Sequence, residues 1–292
     1  MVVNDIGIST VAWDGHSWDI CFAALAEMGA VKVELAYIDG YVDFTEHDLS
    51  IANASHLRRK LSDYGLTPGA VSAHTDLGAV DAREKLERRI RFAAELGSII
   101  LVTNAAQVES ASRFWETLDY ALPIAEAEGV TIALENPGHG ENALIGSGSE
   151  GSALVSGINS PWLRLNYDVA NAVTYSGGTI DWAADFEVAL PWVAQVHVKD
   201  FDTSKKDWSY PALNEGELDV AMFADLVYCF RSPPAVTLEL PLRLCRRGGG
   251  PPTRADFPIA APKVRENVRR SLNSWMEAAL SSLARSSDNL TH

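Results

Sequence analysis

Cysteine is scarce in this chain, and positive charge is short against negative. Cys21, Cys229 and Cys245 are odd in number, far apart and without C-x-x-C spacing. That excludes a disulfide framework and a thiolate zinc site, and fits a reducing cytoplasm. Lys and Arg number 24 against 39 Asp and Glu, a formal net charge of −15. A surface this acidic repels polyanions, so no nucleic-acid partner is expected. No apolar run approaches the ~18 residues of a membrane span, so no membrane association is expected. The opening Met1-Val2-Val3-Asn4-Asp5 lacks the basic segment and apolar run of a secretory signal. Ser9-Thr10-Val11-Ala12-Trp13, after the first expected strand, is not a glycine-rich phosphate loop, which argues against an open doubly wound sheet.

What is present is a repeating unit. A helical segment ends in glycine and a short β-rich run follows, at Gly29, Gly65, Gly97 and Gly129, spaced 36, 32 and 32 residues apart. Glycine is the expected residue just past a helix end, where the left-handed conformation stops the helix. Val31–Leu35, Ile99–Val102 and Val130–Leu134 are nearly continuous in apolar residues, as in strands buried on both faces of a parallel sheet. Further strands are read at Ile6–Thr10, at the run ending in His74, and at Leu163–Tyr167, Val193–Val198 and Ala235–Leu240. Helices are expected near 17–28, 47–64, 81–96, 110–128, 149–157, 180–189, 218–230 and 262–283. Strict alternation to eight strands predicts an α/β fold, a single (β/α)8 barrel over residues 1–283, with 284–292 a flexible C-terminal tail. Long βα loops follow strands five (136–148), seven (199–217) and eight (241–261), all on one face; loops of this length in a compact domain are usually functional or disordered.

The strand ends carry the chemistry. Strands five to eight close on Glu135, Asp168, His197 and Glu239. Each has an ordinary explanation when taken alone: an ion-pair partner, a helix N-cap, a hydrogen-bonded core histidine, and a glutamate held by an arginine. Four such coincidences on four successive strands of a barrel are improbable together, because active sites of this fold form at the C-terminal strand ends. Two glutamates, an aspartate and a histidine offer mostly hard oxygen donors. They suit one divalent ion, Mn²⁺ first, with Mg²⁺, Co²⁺ or Zn²⁺ as alternatives.

At these residues the chain resembles the xylose-isomerase-like TIM-barrel superfamily of sugar phosphate isomerases and epimerases. The matching segments are Ala133-Leu134-Glu135-Asn136, Asn166-Tyr167-Asp168-Val169-Ala170-Asn171, Val196-His197-Val198-Lys199-Asp200 and Leu238-Glu239-Leu240. Ser72-Ala73-His74-Thr75-Asp76-Leu77 is similar too, as is Pro211-Ala212-Leu213-Asn214-Glu215-Gly216-Glu217 to the family's P-x-L-G-x-G loop. The resemblance implies that Glu135, Asp168, His197 and Glu239 hold the metal, and that Glu135 and Glu239 also exchange the substrate proton. A metal-bound carbonyl and hydroxyl acidify the C–H between them, and two carboxylates on opposite faces can remove and return the proton. The chain departs from the epimerase pattern at Asn171 and Gln195, where histidine is common; both are expected to touch substrate.

The implied function is a divalent-metal-dependent isomerase or epimerase acting on a ketose or related keto-sugar. A lyase, by dehydration or β-elimination, would use the same metal and base. An apurinic endonuclease needs histidines where the chain has Asn104 and Asn171, and a non-catalytic sugar-binding barrel has no need of two carboxylates. His74, Trp13, Asn171, Lys199 and Asp200 are expected to bind substrate, and Glu34 to face the same mouth. Arg243, Arg246, Arg247 and Arg254 offer a phosphate site or, more simply, a solvated loop. The expected partner is a small sugar; a homo-oligomer or a complex with another subunit is compatible with the sequence.

Overall fold

The computed structural model describes residues 5–230 and 232–289. Eight parallel strands close into a barrel: β1 (Gly7–Ser9), β2 (Lys32–Tyr37), β3 (Thr67–Ala73), β4 (Ile100–Asn104), β5 (Thr131–Glu135), β6 (Leu163–Asp168), β7 (Val193–Val198) and β9 (Ala235–Leu238). Closure is made by β9, which pairs with both β7 and β1. Around it lie α1 (Trp18–Glu27), α2 (Ile51–Asp63), α3 (Ala82–Leu96), α4 (Ala111–Glu128), α5 (Gly148–Ile158), α6 (Val169–Tyr175), α7 (Trp182–Ala189), α8 (Val220–Tyr228) and α9 (Ala261–Asn289). Gly29, Gly65, Gly97 and Gly129 all adopt positive φ, between 67° and 96°, as the helix-stop reading requires. The final helix runs to Asn289 rather than ending at 283, so 284–289 are helical; 290–292 of the expected tail lie outside the described residues, as does the start, 1–4. Among the described residues no helix is long and apolar enough to cross a membrane.

Strand periodicity sorts each side chain to one surface of the barrel wall. On β7, Val196 and Val198 are fully buried among apolar core residues, while Gln195, His197 and the following Lys199 share the opposite face. On β6, Leu165 and Tyr167 pack outward, Tyr167 onto Phe186 of α7 with ring centroids 5.0 Å apart, and Asn166 and Asp168 alternate with them. Register then stacks the interior polar residues. Glu135 lies level with Asn166, Asn166 with Gln195, and Asp168 with His197.

The loops after β7 and β9 are more ordered than their composition suggests. Residues Asp207–Ser209 (β8), Leu244–Arg247 (β10) and Thr253–Arg254 (β11) form a three-stranded antiparallel sheet joining the two loops. Runs of two to four residues are too short for an alternating pattern to register. Three of the four arginines here are engaged within the fold rather than solvated. Arg243 and Arg254 pair with the buried Asp14 at 2.8 and 2.6 Å, and Arg254 also with Asp43 at 2.7 Å. Arg246, itself buried over the Trp208 ring, donates to the carbonyls of Gly138, Gly249 and Gly250 and so ties the loop after β5 to the loop after β9. Arg247 alone of the four is exposed.

Candidate metal centre and cavity

Glu135, Asp168, His197 and Glu239 each bring one donor atom within 4.8 Å of the others, and all four are buried. Strands β5, β6 and β7 deliver three of them. Glu239 is the residue after β9, held in line by its N–H to the Val198 carbonyl at 3.1 Å. Glu135 and Glu239 line a cavity of about 490 Å³ together with His74, Asp76, Asn104, His139, Asn171 and Lys199, and with Asp39, Glu46, Lys85 and Arg89; Asp168 and His197 are buried behind that lining.

His197 is the hub. Its Nδ1 is 2.7 Å from Glu135 Oε1, 3.8 Å from Glu239 and 3.9 Å from Asp168, and its Nε2 is 2.9 Å from Glu34. Burial works against a charged imidazole, but Glu34, Glu239 and Glu135 outweigh it and hold the ring's pKa well above its usual value. Burial likewise raises the Glu135 carboxyl, yet His197 and His74 more than offset this and keep it well below the ordinary carboxylate range. His74 Nε2 is 3.0 Å from Glu135 Oε2, and Asn166 Nδ2 donates to Glu135 Oε1 at 2.9 Å.

Lys199 Nζ lies 2.6 Å from both Asp168 Oδ2 and Glu239 Oε2, and donates to a third partner, Asn171 Oδ1, at 3.2 Å. Its ammonium sits 5.4 Å from the Tyr210 ring centroid. Burial raises Asp168 and the charges of Glu135 and Glu239 add to it; Lys199 opposes them, and the net effect pushes the carboxyl up to about 7. Glu239 stays below its ordinary value because Lys199 and His197 outweigh its burial. Asp168 Oδ1 caps α6 through the Asn171 N–H, whereas its buried Oδ2 has the lysine contact but no hydrogen bond. A buried carboxylate oxygen without a hydrogen bond, facing a second and third carboxylate and an imidazole nitrogen, is what a divalent ion would satisfy. The donor set therefore fits a metal.

The other expected substrate residues divide. His74, Asn171 and Lys199 line the cavity. Trp13 does not: it is buried in the 3₁₀ turn after β1 and borders a separate hollow with Trp18 and Tyr37. Asp200 points away as well. Its carboxylate accepts the N–H groups of Phe201, Gly216 and Leu218 at 2.8, 2.9 and 3.0 Å. This accounts for the Pro211–Glu217 motif. Asn214 holds φ +67°, and a Cβ on Gly216 would meet Asp200 Oδ1 at 2.3 Å, so the loop folds tightly over the aspartate. Asp200→Ala should cost about 1–3 kcal/mol in thermal unfolding, by stranding buried N–H groups, and leave divalent-metal affinity unchanged; a large loss of affinity in a folded variant would return Asp200 to the site.

Gln195 and Glu34 also lie elsewhere than expected, beneath the cavity in the barrel interior, with Gln195 Nε2 donating to Glu34 Oε2 at 2.7 Å. Sequence reading missed Asn166 and His139. Asn166 was detectable, since a residue two before Asp168 on a strand shares its face. His139, on the glycine-rich loop after β5, has its pKa lowered by burial and by the nearby Arg246 and Lys199; nothing in its local sequence marks it.

The xylose isomerase-like TIM barrel family profile matches residues 22–278. No curated protein matches the chain in sequence. Among solved structures, that of an L-ribulose 3-epimerase is similar over 98% of this chain and 98% of its own, with a TM-score of 0.72 and 17% identity. A D-psicose 3-epimerase structure determined with D-fructose covers 96% and 97%, with a TM-score of 0.63 and 15% identity. A probable 3-DHS dehydratase of petrobactin synthesis from Bacillus anthracis covers 92% and 97%, with a TM-score of 0.67 and 14% identity. At these identities the likeness is one of fold.

Proposed function

Since the chain belongs to the xylose isomerase-like TIM-barrel family, we propose that it is a divalent-metal-dependent isomerase or epimerase that moves a proton at the carbon beside a ketose carbonyl. The observation that carries this reading is the convergence of Glu135, Asp168, His197 and Glu239, of which Glu135 and Glu239 open onto a sugar-sized cavity. These four residues would hold the ion, with Mn²⁺ favoured by the oxygen-rich donor set and Mg²⁺, Co²⁺ or Zn²⁺ as alternatives. When bound, the ion would polarise the carbonyl and acidify the neighbouring C–H.

The protein's own groups supply the rest. Glu135 is kept ionised by His197 and His74 and is the carboxylate that would take the proton on one face. Glu239, also held below its ordinary pKa, is the second carboxylate, for the opposite face. Lys199, with Asn171 beside it, presents an ammonium to a substrate oxygen. His74 and His139 orient hydroxyls from the wall. A lyase would draw on the same four donors and the same base. An apurinic endonuclease fits poorly, with Asn104 and Asn171 on the cavity wall and a formal charge of −15.

The substrate reading is an unphosphorylated sugar. The fixed cations of the cavity are each paired: Lys85 with Asp81 at 2.9 Å, Arg89 with Glu46 at 2.8 Å, Lys199 with Asp168 and Glu239. Asp39, Glu46 and Asp76 on the same wall oppose an added dianion. We place the protein in the cytoplasm, in keeping with three free cysteines. The test is incubation of metal-loaded protein with neutral ketoses and their phosphates in D₂O. Deuterium should enter the neutral sugars at the carbon next to the carbonyl. An unsaturated product without exchange would favour the lyase, and exchange confined to phosphates would overturn the substrate reading.

A further inference from the structure

Glu34 is a fully buried carboxylate to which the proton chemistry above gives no part. It stands on β2, deep in the barrel, and among the described residues its only ion-pair partner is His197. Two contacts fall on one oxygen: Oε2 accepts from Gln195 Nε2 at 2.7 Å and lies 2.9 Å from His197 Nε2, while Oε1 is buried without any hydrogen bond. Burying a carboxylate so incompletely satisfied costs several kcal/mol. Replacing it with an apolar residue would make the better core, and so the group calls for a role other than packing.

We propose that Glu34 is a positioning residue for the metal centre, fixing His197 as the Nε2–H tautomer so that the Nδ1 lone pair is aimed at the point where Glu135, Asp168 and Glu239 converge. A carboxylate oxygen only accepts, so the imidazole nitrogen facing Glu34 at 2.9 Å carries a proton. Nδ1 faces Glu135 Oε1 at 2.7 Å in the same way, and its proton is the one a bound cation would displace, while Glu34, away from the other three donors, keeps the proton on Nε2. Gln195 donates to the same oxygen, so its 3.3 Å approach to His197 Nε2 is that of two donors sharing an acceptor. The Gln195 amide holds the carboxylate beneath the ring, and strand periodicity sets Gln195 and His197 on one face of β7. With the proton fixed on Nε2, the ring turns its other nitrogen to Glu135 at 2.7 Å and to Asp168 and Glu239 at 3.9 and 3.8 Å. Such carboxylate–histidine pairs set the tautomer and raise the basicity of a metal-binding nitrogen, and losing one typically costs 10- to 100-fold in affinity.

The inference rests on the metal-centre reading, and the experiment separates the two. In wild-type protein with ¹⁵N-labelled histidine and saturating Zn²⁺, His197 should show a directly bonded, exchange-protected proton on Nε2 and a shifted Nδ1 resonance. The signal is identified by its loss in His197→Gln. In Glu34→Gln the Mn²⁺ and Zn²⁺ dissociation constants, measured by calorimetry, should rise about 10- to 100-fold while the thermal transition shows a folded protein. If Glu34→Gln does not fold, the wild-type resonances decide. A proton on Nδ1 in the Zn²⁺-loaded protein, or unchanged metal affinity in folded Glu34→Gln, would overturn the assignment and leave the metal centre standing. Failure of the wild type to bind any divalent ion would remove the metal centre and this inference together.

Discussion

Glu135→Gln and Glu239→Gln are each expected to lower turnover about 10²- to 10⁴-fold, because an amide cannot take a proton near neutral pH. Each should keep the fold, since the amide is nearly isosteric with the carboxylate. The two need not fail alike. Glu135 is embraced by His197, His74 and Asn166, whereas Glu239 has Lys199 as its close partner. If each serves one face of the substrate carbon, a single variant can still exchange the proton its surviving glutamate reaches. Deuterium would then enter returned substrate while epimer formation stops. Both residues are also proposed ligands, so metal content is measured alongside. A metal-loaded double variant turning over at the wild-type rate would take both glutamates out of the mechanism. A lyase, needing one base and a leaving group, would tolerate one of the substitutions far better than the other.

Lys199→Met should have the largest effect on stability. The ammonium is the fixed cation between Asp168 and Glu239, 2.6 Å from each, and all three side chains are buried. Removing one partner from a buried ionic cluster leaves uncompensated charge and costs about 3–5 kcal/mol. Asp168, already pushed up to about 7, can take a proton and hold the cost toward the lower end. The expected result is a marked fall in the thermal transition of metal-free protein. Divalent metal should raise the variant's transition more than the wild type's, because the added cation replaces the lost one. An unchanged transition without metal would show that the lysine does not neutralise these carboxylates.

The strand-end residues were legible because the barrel converts order along the chain into position around a rim. An apolar run ending in an ionisable residue, repeated at Glu135, Asp168, His197 and Glu239, is a local pattern, and closure of β9 onto β1 brings the four together. Trp13 and Asp200 show where this reasoning stops. Both follow strands on the cavity face, yet Trp13 packs into the wall and Asp200 turns to clamp the Phe201–Leu218 loop. Sequence position names the face; the backbone dihedrals of the next residue or two choose the direction.

By itself, then, the sequence determined the alternation of helix and strand, the left-handed glycines that stop four helices, and the set of donors offered at the mouth, because each depends on periodicity or on a residue's own conformational range. Only the tertiary structure decided that Lys199 would stand between two of the donors, that Glu34 and Gln195 would meet His197 from below, and that arginines of the 241–261 loop would be consumed by Asp14, Asp43 and the Gly138 carbonyl. Those contacts join residues more than a hundred positions apart in several cases, and their partners are selected by register and chain packing, for which no short stretch of sequence carries a signal.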